Sequence, residues 1–216
     1  MKPGKYKTSF LGTEVPVLYV TDKTEAERLL KQLMSQPLET YALDTETAAL
    51  PKYKKIGEAA LSPHLSAVRL LQLFTGRTAI VFDIGKIETT GIFKSFLEEK
   101  RFVGHNSLFD LQYLYKQFGA SHIDIGCSYL AAKLIFHATT PTDAGLSASL
   151  RSLVNALFKT EILKEMQVSD WSVPELTWEQ IEYSALDAVT TYRLAEKLAP
   201  KISKFRFVYL YICKCL

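Results

Sequence analysis

Three short apolar runs lie close together in the first half of the chain, and their spacing constrains the fold more than any other feature. They are TYALDTE (40–46), AVRLLQLFT (67–75) and TAIVFD (78–83). Only Gly76 and Arg77 separate the last two runs, a spacing typical of a β-hairpin. The three runs therefore predict an antiparallel meander.

Strand-like and helix-like segments alternate after Asp83. A meander followed by such alternation implies an α/β fold, in which a mixed sheet carries parallel strands beside the meander and helices on both faces. Capping-box spacings mark two helix starts, Thr24-x-x-Glu27 and Thr177-x-x-Gln180. Outside the meander we expect an edge strand at 14–20 (EVPVLYV), strands at 101–105 and 122–125, and helices at 24–34, 89–99, 107–118, 127–138, 146–158 and 177–199.

Composition limits the chain to one domain. Its 216 residues, 48% of them hydrophobic, suffice for one well-packed domain and are too few for two ordinary ones. We place this domain at 1–204, with its core at about 38–200, and treat 205–216 (FRFVYLYICKCL) as an atypical C-terminal tail. A net charge of only +3 excludes the strongly basic class of protein that coats nucleic acid. A polyanion would therefore have to bind at a local group of basic residues.

Cysteine use and hydropathy indicate an intracellular protein. Cys127, Cys213 and Cys215 are an odd number without a disulfide-like pattern, which suits a reducing compartment. No second pair complements Cys213-x-Cys215 as a zinc site. The opening MKPGKYKTSF lacks the apolar segment of a signal peptide, and no run approaches a membrane span. We expect a soluble protein of the cytoplasm or of a DNA-containing compartment, without membrane association.

Two carboxylates interrupt the first strand of the meander, at Asp44 and Glu46. Residues two apart on a strand point to the same face, so these side chains project into one place. Carboxylates separated by a few ångströms repel by about 1–4 kcal/mol at intermediate dielectric. A retained proton, a basic partner or a divalent cation between them would relieve that repulsion. The alternative is a strand that has simply reached solvent at this end.

Two later segments place further acids in apolar surroundings. In FVGHNSLFDLQYL (102–114), Asp110 lies near the end of a helix's first turn, and in IEYSALDAVTTYRL (181–194), Tyr183 and Asp187 lie one turn apart on one helix face. Taken singly, Asp110 is explained as a helix-start acid, Asp187 as a solvated residue and Tyr183 as a core aromatic. Together, the four acids have no equally convincing basic partners nearby in the sequence. Divalent cations are the economical explanation.

The three segments, in this order, resemble the motifs of the DEDD exonuclease superfamily in its tyrosine-bearing (DEDDy) subgroup. The matching residues are Asp-x-Glu on the first strand, His-Asn-x-x-Phe-Asp at a strand-to-helix junction and Tyr-x-x-x-Asp on the last helix. HNSLFDLQYL is similar to the second motif of the proofreading domain of family A DNA polymerases. VSDWSVPELTWEQIEYSALDAVTTYRL is similar to a segment of ribonuclease D and Werner-type exonucleases. The resemblance covers about residues 38–200, and the tail departs from the family pattern.

The resemblance implies a ribonuclease H-like fold and hydrolysis of terminal phosphodiesters with two divalent cations, Mg²⁺ or Mn²⁺. It implies that Asp44 bridges both cations, while Glu46 and Asp187 complete the first site. Asp110 would hold the second cation, and the Tyr183 hydroxyl would orient the attacking water. The implied catalytic residues are thus Asp44, Glu46, Asp110, Tyr183 and Asp187.

The implied function is a 3′-5′ exonuclease of the proofreading or repair type. Its substrate would be single-stranded or frayed 3′ ends of DNA, and a DNA polymerase is a candidate partner. One alternative is RNA 3′-end trimming of the kind ribonuclease D performs. Another is a catalytically silent scaffold that binds nucleic acid or protein through the same fold.

A terminal nucleotide with an unstacked base needs apolar or aromatic surface beside the acids and a few cations along its backbone. The segment 47–65 is predicted to be an exposed loop, and its lysines, Lys52, Lys54 and Lys55, either meet phosphates or stay solvated. His105 has the alternative role of a core histidine. The residues that flank the motifs are the candidates for nucleotide binding: Leu43, Thr47, Leu50, His105, Asn106 and Phe109.

Overall fold

The protein is built around one mixed β-sheet with helices packed on both of its faces. The computed structural model describes residues 1–37, 39–56, 58–139, 147–161 and 169–202. Its strands are β1 (Gly4–Phe10), β2 (Thr13–Val20), β3 (Thr40–Ala49), β4 (Ser66–Phe74), β5 (Ala79–Asp83), β6 (Arg101–Gly104) and β7 (Asp124–Cys127). Its α-helices are α1 (Lys23–Met34), α2 (Gly91–Glu99), α3 (Leu108–Phe118), α4 (Ser128–Thr139), α5 (Leu150–Phe158) and α6 (Trp178–Ile202).

The seven strands lie in the order β1-β2-β5-β4-β3-β6-β7. Strands β3, β4 and β5 form the predicted antiparallel meander, and β6 and β7 continue the sheet in parallel beside β3. On the other side, β2 pairs parallel with β5 and antiparallel with β1. The expected mixed α/β sheet is confirmed.

Side-chain alternation along the strands divides the core between the two faces. On one face, Leu43 and its neighbours pack against the apolar sides of α1, α2 and α3. On the other face, Ala42, Leu70 and Phe74 pack against the apolar side of α6. A third cluster joins α4, α5 and the C-terminal half of α6. Strand β3 is therefore held from both faces and from both edges.

Two details of the sequence interpretation are wrong at the N-terminal end. The strand predicted at 14–20 lies inside the sheet, because Gly4–Phe10 forms a further strand outside it. The first helix is not capped by the Thr24–Glu27 box, since Asp22 accepts the hydrogen bond from the Glu25 N–H at 2.9 Å. Asp22 stands one residue before the helix, where a cap belongs.

The remaining elements agree with the prediction within a few residues. Strand β3 runs on to Ala49, and short 3-10 turns at Pro51–Tyr53 and Ala59–Leu61 occupy part of the predicted loop. The second capping box is confirmed: Thr177 N donates to Gln180 Oε1 at 2.9 Å, and Gln180 N donates to Thr177 Oγ1 at 3.3 Å. The predicted tail, with Cys213 and Cys215, lies outside the described residues. None of the helices described is long and apolar enough to span a membrane.

Candidate active site

Strand β3 presents two acids to the face covered by α6. Ala42, on this strand, packs in the α6 core, whereas Leu43 packs in the core of the opposite face. Because side chains alternate along a strand, Asp44 and Glu46 share the face of Ala42. The fold therefore directs both carboxylates into the space between the sheet and α6.

Helix α6 brings a third carboxylate to the same place. One ligand oxygen each from Asp44, Glu46 and Asp187 lie within 4.8 Å of one another, and all three residues are partly buried. These are hard oxygen donors, the ligands that Mg²⁺ and Mn²⁺ prefer. The donor set therefore fits a divalent cation.

Asp110 approaches the cluster from the edge of the sheet. Strand β6 pairs only with Thr40–Ala42 of β3, so the edge of β3 beyond Ala42 is free of that pairing. There the Thr45 hydroxyl donates a hydrogen bond to Asp110 Oδ1 at 2.7 Å, and Asp110 is only 3% exposed. Asp110 lies outside the three-carboxylate group, but its charge is close enough to raise the pKa values of Asp44 and Glu46.

Mutual repulsion and burial shape the protonation of the four acids. Burial, followed by the charges of Asp110, Asp187 and Glu46, raises the pKa of Asp44 well above its usual range. Burial and the charges of Asp187 and Asp110 likewise raise the pKa of Glu46. Burial raises the pKa of both Asp110 and Asp187 to about 7, against hydrogen bonds that lower it. Without a cation, the cluster holds protons at near-neutral pH.

Tyr183 lies one helical turn before Asp187 and shares a side-chain hydrogen bond with it. Burial, followed by the Asp187 carboxylate, raises the pKa of the Tyr183 hydroxyl above its ordinary value. The hydroxyl therefore stays protonated and can donate a hydrogen bond. The Tyr183 ring lies against that of Trp171, with 6.3 Å between centroids, so this loop residue helps to place the phenol.

Three of the predicted nucleotide contacts lie on or just after β3. Leu43 is fully buried in the core against α1–α3, so its side chain offers no surface to a nucleotide. Thr47 is also buried, and its hydroxyl donates to the Ala60 carbonyl at 2.6 Å. Leu50 is partly exposed. Of these three, Leu50 retains accessible side-chain surface.

The other three predicted contacts lie at the start of α3. His105 Nδ1 lies 2.9 Å from Ser128 Oγ, and burial lowers the His105 pKa to about 4, so the imidazole is neutral. Asn106 is exposed with a left-handed backbone (φ 61°). Phe109 is partly exposed and packs its ring on Tyr113, with 4.9 Å between centroids. Asn106 and Phe109 thus present surface beside Asp110, while His105 has a structural partner.

A cavity of about 340 Å³ opens where β3 ends. Thr47–Ala49 line one side and Ser169–Ser172 the other. Lys54 also lines this cavity, and its Nζ lies 3.8 Å from Asp170 Oδ2. Both of these side chains are at least half exposed, so the pairing is weak and leaves Lys54 available to other anions.

Comparison with known proteins gives an independent view of the chain. A family model described as 3′-5′ exonuclease, of the DNA polymerase A type, matches residues 17–203. The chain belongs to this 3′-5′ exonuclease family. DNA polymerase I of Aquifex aeolicus (strain VF5) is 26% identical to the exonuclease over 188 residues, which is 86% of this chain. The match covers 28% of that polymerase, so the exonuclease spans well under half of its relative's length.

Solved structures at low sequence identity share the fold. Escherichia coli RNase D, described as an exoribonuclease involved in structured RNA processing, superposes with a TM-score of 0.70 at 19% identity, over 92% of this chain and 48% of RNase D. NrnC of Brucella melitensis with bound Mg²⁺ gives 0.62 at 24% identity, over 86% of this chain and 81% of NrnC. NrnC has also been solved bound to pGG.

The exonuclease contains supporting residues that the sequence analysis did not assign. Thr45, between the two acids of β3, holds Asp110 by a hydrogen bond. Arg69 and Gln72, both on β4, are buried polar residues that sequence reasoning left without a role. Arg69 forms an ion pair with Asp83 of β5, and Gln72 lies opposite Asp44. Polar residues inside otherwise apolar strands were the available signal, but their partners are distant in sequence.

Proposed function

We propose that this exonuclease removes nucleotides from the 3′ end of single DNA strands, using two divalent cations held by Asp44, Glu46, Asp110 and Asp187. The observation that carries the proposal is the convergence of the Asp44, Glu46 and Asp187 oxygens within 4.8 Å, with Asp110 beside them. Four carboxylates repel one another and repel phosphate, so the arrangement favours cation binding. A silent scaffold would be expected to have lost a ligand, and all four are present.

The cations, when bound, would activate the attacking water and stabilise the charge that develops on the leaving 3′ oxygen. The charges of both Asp187 and Asp110 raise the pKa of Asp44, so Asp44 lies close enough to both to be the shared ligand. Glu46 and Asp187 would complete one cation site. Asp110, fixed by the Thr45 hydroxyl, would complete the other.

Tyr183 would orient the attacking water. Its single O–H is hydrogen-bonded to Asp187, and it would donate instead to a water next to the carboxylates once Asp187 binds a cation. The packing of Trp171 against its ring limits the positions the hydroxyl can adopt. A fixed donor of this kind acts mainly in the transition state, where the attacking oxygen must be aligned.

DNA is the favoured substrate because the family model and the Aquifex relative both belong to DNA polymerases. The fold shared with RNase D keeps RNA as the second candidate. The cavity at the end of β3 is a suitable place for the terminal nucleotide, with Lys54 close to its phosphates. Leu50, just after β3, and Asn106 and Phe109, beside Asp110, offer further accessible side-chain surface.

The test uses DNA and RNA strands of one sequence, each labelled at the 5′ end, with Mg²⁺, with Mn²⁺ or with chelator. We expect stepwise shortening of DNA from the 3′ end that needs a cation, slower shortening of RNA, and protection by a 3′ block but not by a 5′ block. Asp44→Asn should abolish cleavage. Asp124→Asn, which neutralises an exposed acid on β7, is the matched control and should cleave at the parent rate.

Three outcomes would contradict the proposal. Faster degradation of RNA than of DNA would transfer the assignment to RNA trimming. Nicking of circular single strands would exclude an exonuclease. Cleavage by Asp44→Asn at the parent rate would remove the acidic cluster from the mechanism.

A further inference from the structure

Gln72 is a fully buried amide in an apolar part of the sheet. It lies on β4, two residues after Leu70 and two before Phe74. Side chains two apart on a strand share a face, so Gln72 faces α6 as these two residues do. Its neighbour on β5 is Val81, which is also buried in that core. A glutamine among such residues contributes less to packing than a leucine or methionine would.

Neither polar atom of this amide is satisfied within the described part of the chain. Four buried side-chain atoms there lack a hydrogen-bond partner, and two of them are the Nε2 and Oε1 of Gln72. Native proteins satisfy the great majority of buried polar groups, because an unpaired one loses its hydration without compensation. Packing alone therefore does not explain why a glutamine, rather than an apolar residue, occupies this buried position.

The partner of Gln72 across the sheet is Asp44. The two residues are directly paired between β4 and β3, so their side chains leave the same face. Directly opposed Cβ atoms in an antiparallel pair are about 4.5–5.5 Å apart, a separation that a glutamine amide can bridge to a carboxylate. Asp44 in turn belongs to the acidic cluster.

We propose that Gln72 is a positioning residue for Asp44, donating a hydrogen bond from Nε2 to its carboxylate when that carboxylate binds a cation. The inference rests on the proposed function. A carboxylate that serves two cations must be held in one orientation, and a neutral donor achieves this without competing for the cation. The Thr45 backbone supplies one hydrogen bond to Asp44, and Gln72 would supply a second from the opposite strand.

The test measures Mn²⁺ binding in the absence of nucleic acid, by the electron paramagnetic resonance signal of free Mn²⁺. Gln72→Met keeps the length of the side chain and removes the amide. We expect its affinity for Mn²⁺ to fall by about 10–100-fold, the range found when partners of metal ligands are removed. In chelator, its melting temperature should equal or exceed that of the parent, because an unpaired buried amide has been replaced by an apolar group.

Thr190→Val is the matched control. The Thr190 hydroxyl is also buried without a partner among the described residues, and it lies on α6 rather than on the strand that pairs with Asp44. Valine has nearly the same shape, so this variant should also be as stable as the parent or more so. Its Mn²⁺ affinity should be unchanged. Gln72→Leu, a second apolar replacement, covers the case in which methionine does not pack.

The outcomes separate this inference from the proposed function. If the parent binds no Mn²⁺, the proposed cation site fails and the role of Gln72 fails with it. If the parent binds Mn²⁺ and both Gln72 variants bind it equally well, only the positioning role is overturned. Equal losses in the Gln72 variants and in Thr190→Val would also overturn it, because packing beneath α6 would then be the cause.

Discussion

Replacing Arg69 by methionine should destabilise the exonuclease more than any exposed arginine replacement. Arg69 lies where the β3–β4 register shifts, and its side chain is 9% exposed. Its Nε and Nη2 donate to the two carboxylate oxygens of Asp83 at 2.9 and 3.0 Å, and the Tyr19 hydroxyl donates to Asp83 as well. The same guanidinium donates to the backbone carbonyls of residues 171, 173 and 174 at 3.3, 2.6 and 3.2 Å.

The magnitude follows from what the substitution leaves behind. Asp83 is completely buried, and among the described residues the Tyr19 hydroxyl would be the one hydrogen-bond partner left to its carboxylate. Removing one member of a buried ion pair costs about 3–5 kcal/mol. For a chain of this size each kcal/mol lowers the melting temperature by about 2–4 °C, so the expected loss is roughly 6–20 °C.

The assay is thermal unfolding followed by circular dichroism. Arg28→Met is the matched control, since Arg28 also binds a carboxylate with two nitrogens, each at 2.7 Å from Glu25, but on the exposed surface of α1. Solvent screens that pair, so its loss should change the melting temperature little. Adding Asp83→Leu to Arg69→Met should restore part of the loss, because no unpaired charge then remains. A loss no larger than that of Arg28→Met would refute the reasoning.

Three further predictions concern the acidic cluster. Tyr183→Phe keeps the ring but removes the hydroxyl, so single-turnover cleavage at saturating Mn²⁺ should slow by roughly 10- to 1000-fold, about 1.4–4 kcal/mol; an unchanged rate would strike Tyr183 from the mechanism. Asp110→Asn should unfold in chelator at the parent temperature or above it, since a repelling charge is gone, while cleavage falls by several orders of magnitude. The metal-free protein should lose stability as pH rises from about 4 to about 7. The reason is that the raised pKa values of Asp110 and Asp187 make the folded state bind more protons than the unfolded state in that range. Unfolding curves in chelator across that range test the sign, and Mg²⁺ should reverse the trend.

Local patterns predicted most of the fold. The meander followed from three apolar runs, and the start of α6 followed from a capping box whose two hydrogen bonds both form. The errors arose where local signals were weak or competed. Strand β1 is an exposed edge whose lysines dilute the apolar pattern, and Asp22 was a better-placed cap than Thr24.

The acids of the candidate site could be predicted from sequence because four of them occur together in apolar segments and in the order of the exonuclease motifs, although each taken singly has another explanation. A carboxylate inside an apolar strand or helix needs an explanation, wherever its partners lie. The residues that support them give no such local signal. Arg69 acquires its role from Asp83 on another strand and from carbonyls more than a hundred residues away. Such contacts exist only once the chain has folded.

The position of the acids explains how the fold tolerates them. Asp44 and Glu46 lie on β3, which β4 pairs along its length and which apolar cores cover on both faces. The pairing with β4 and the cores on both faces limit how far this strand can slide or twist to relieve the repulsion, although its other edge is unpaired with β6 beyond Ala42. The sheet thus keeps the carboxylates of Asp44 and Glu46 close together, and a bound cation or bound protons would relieve their repulsion. Without a cation, this repulsion opposes folding, so we expect that replacing any one acid by its amide favours folding and lowers cleavage.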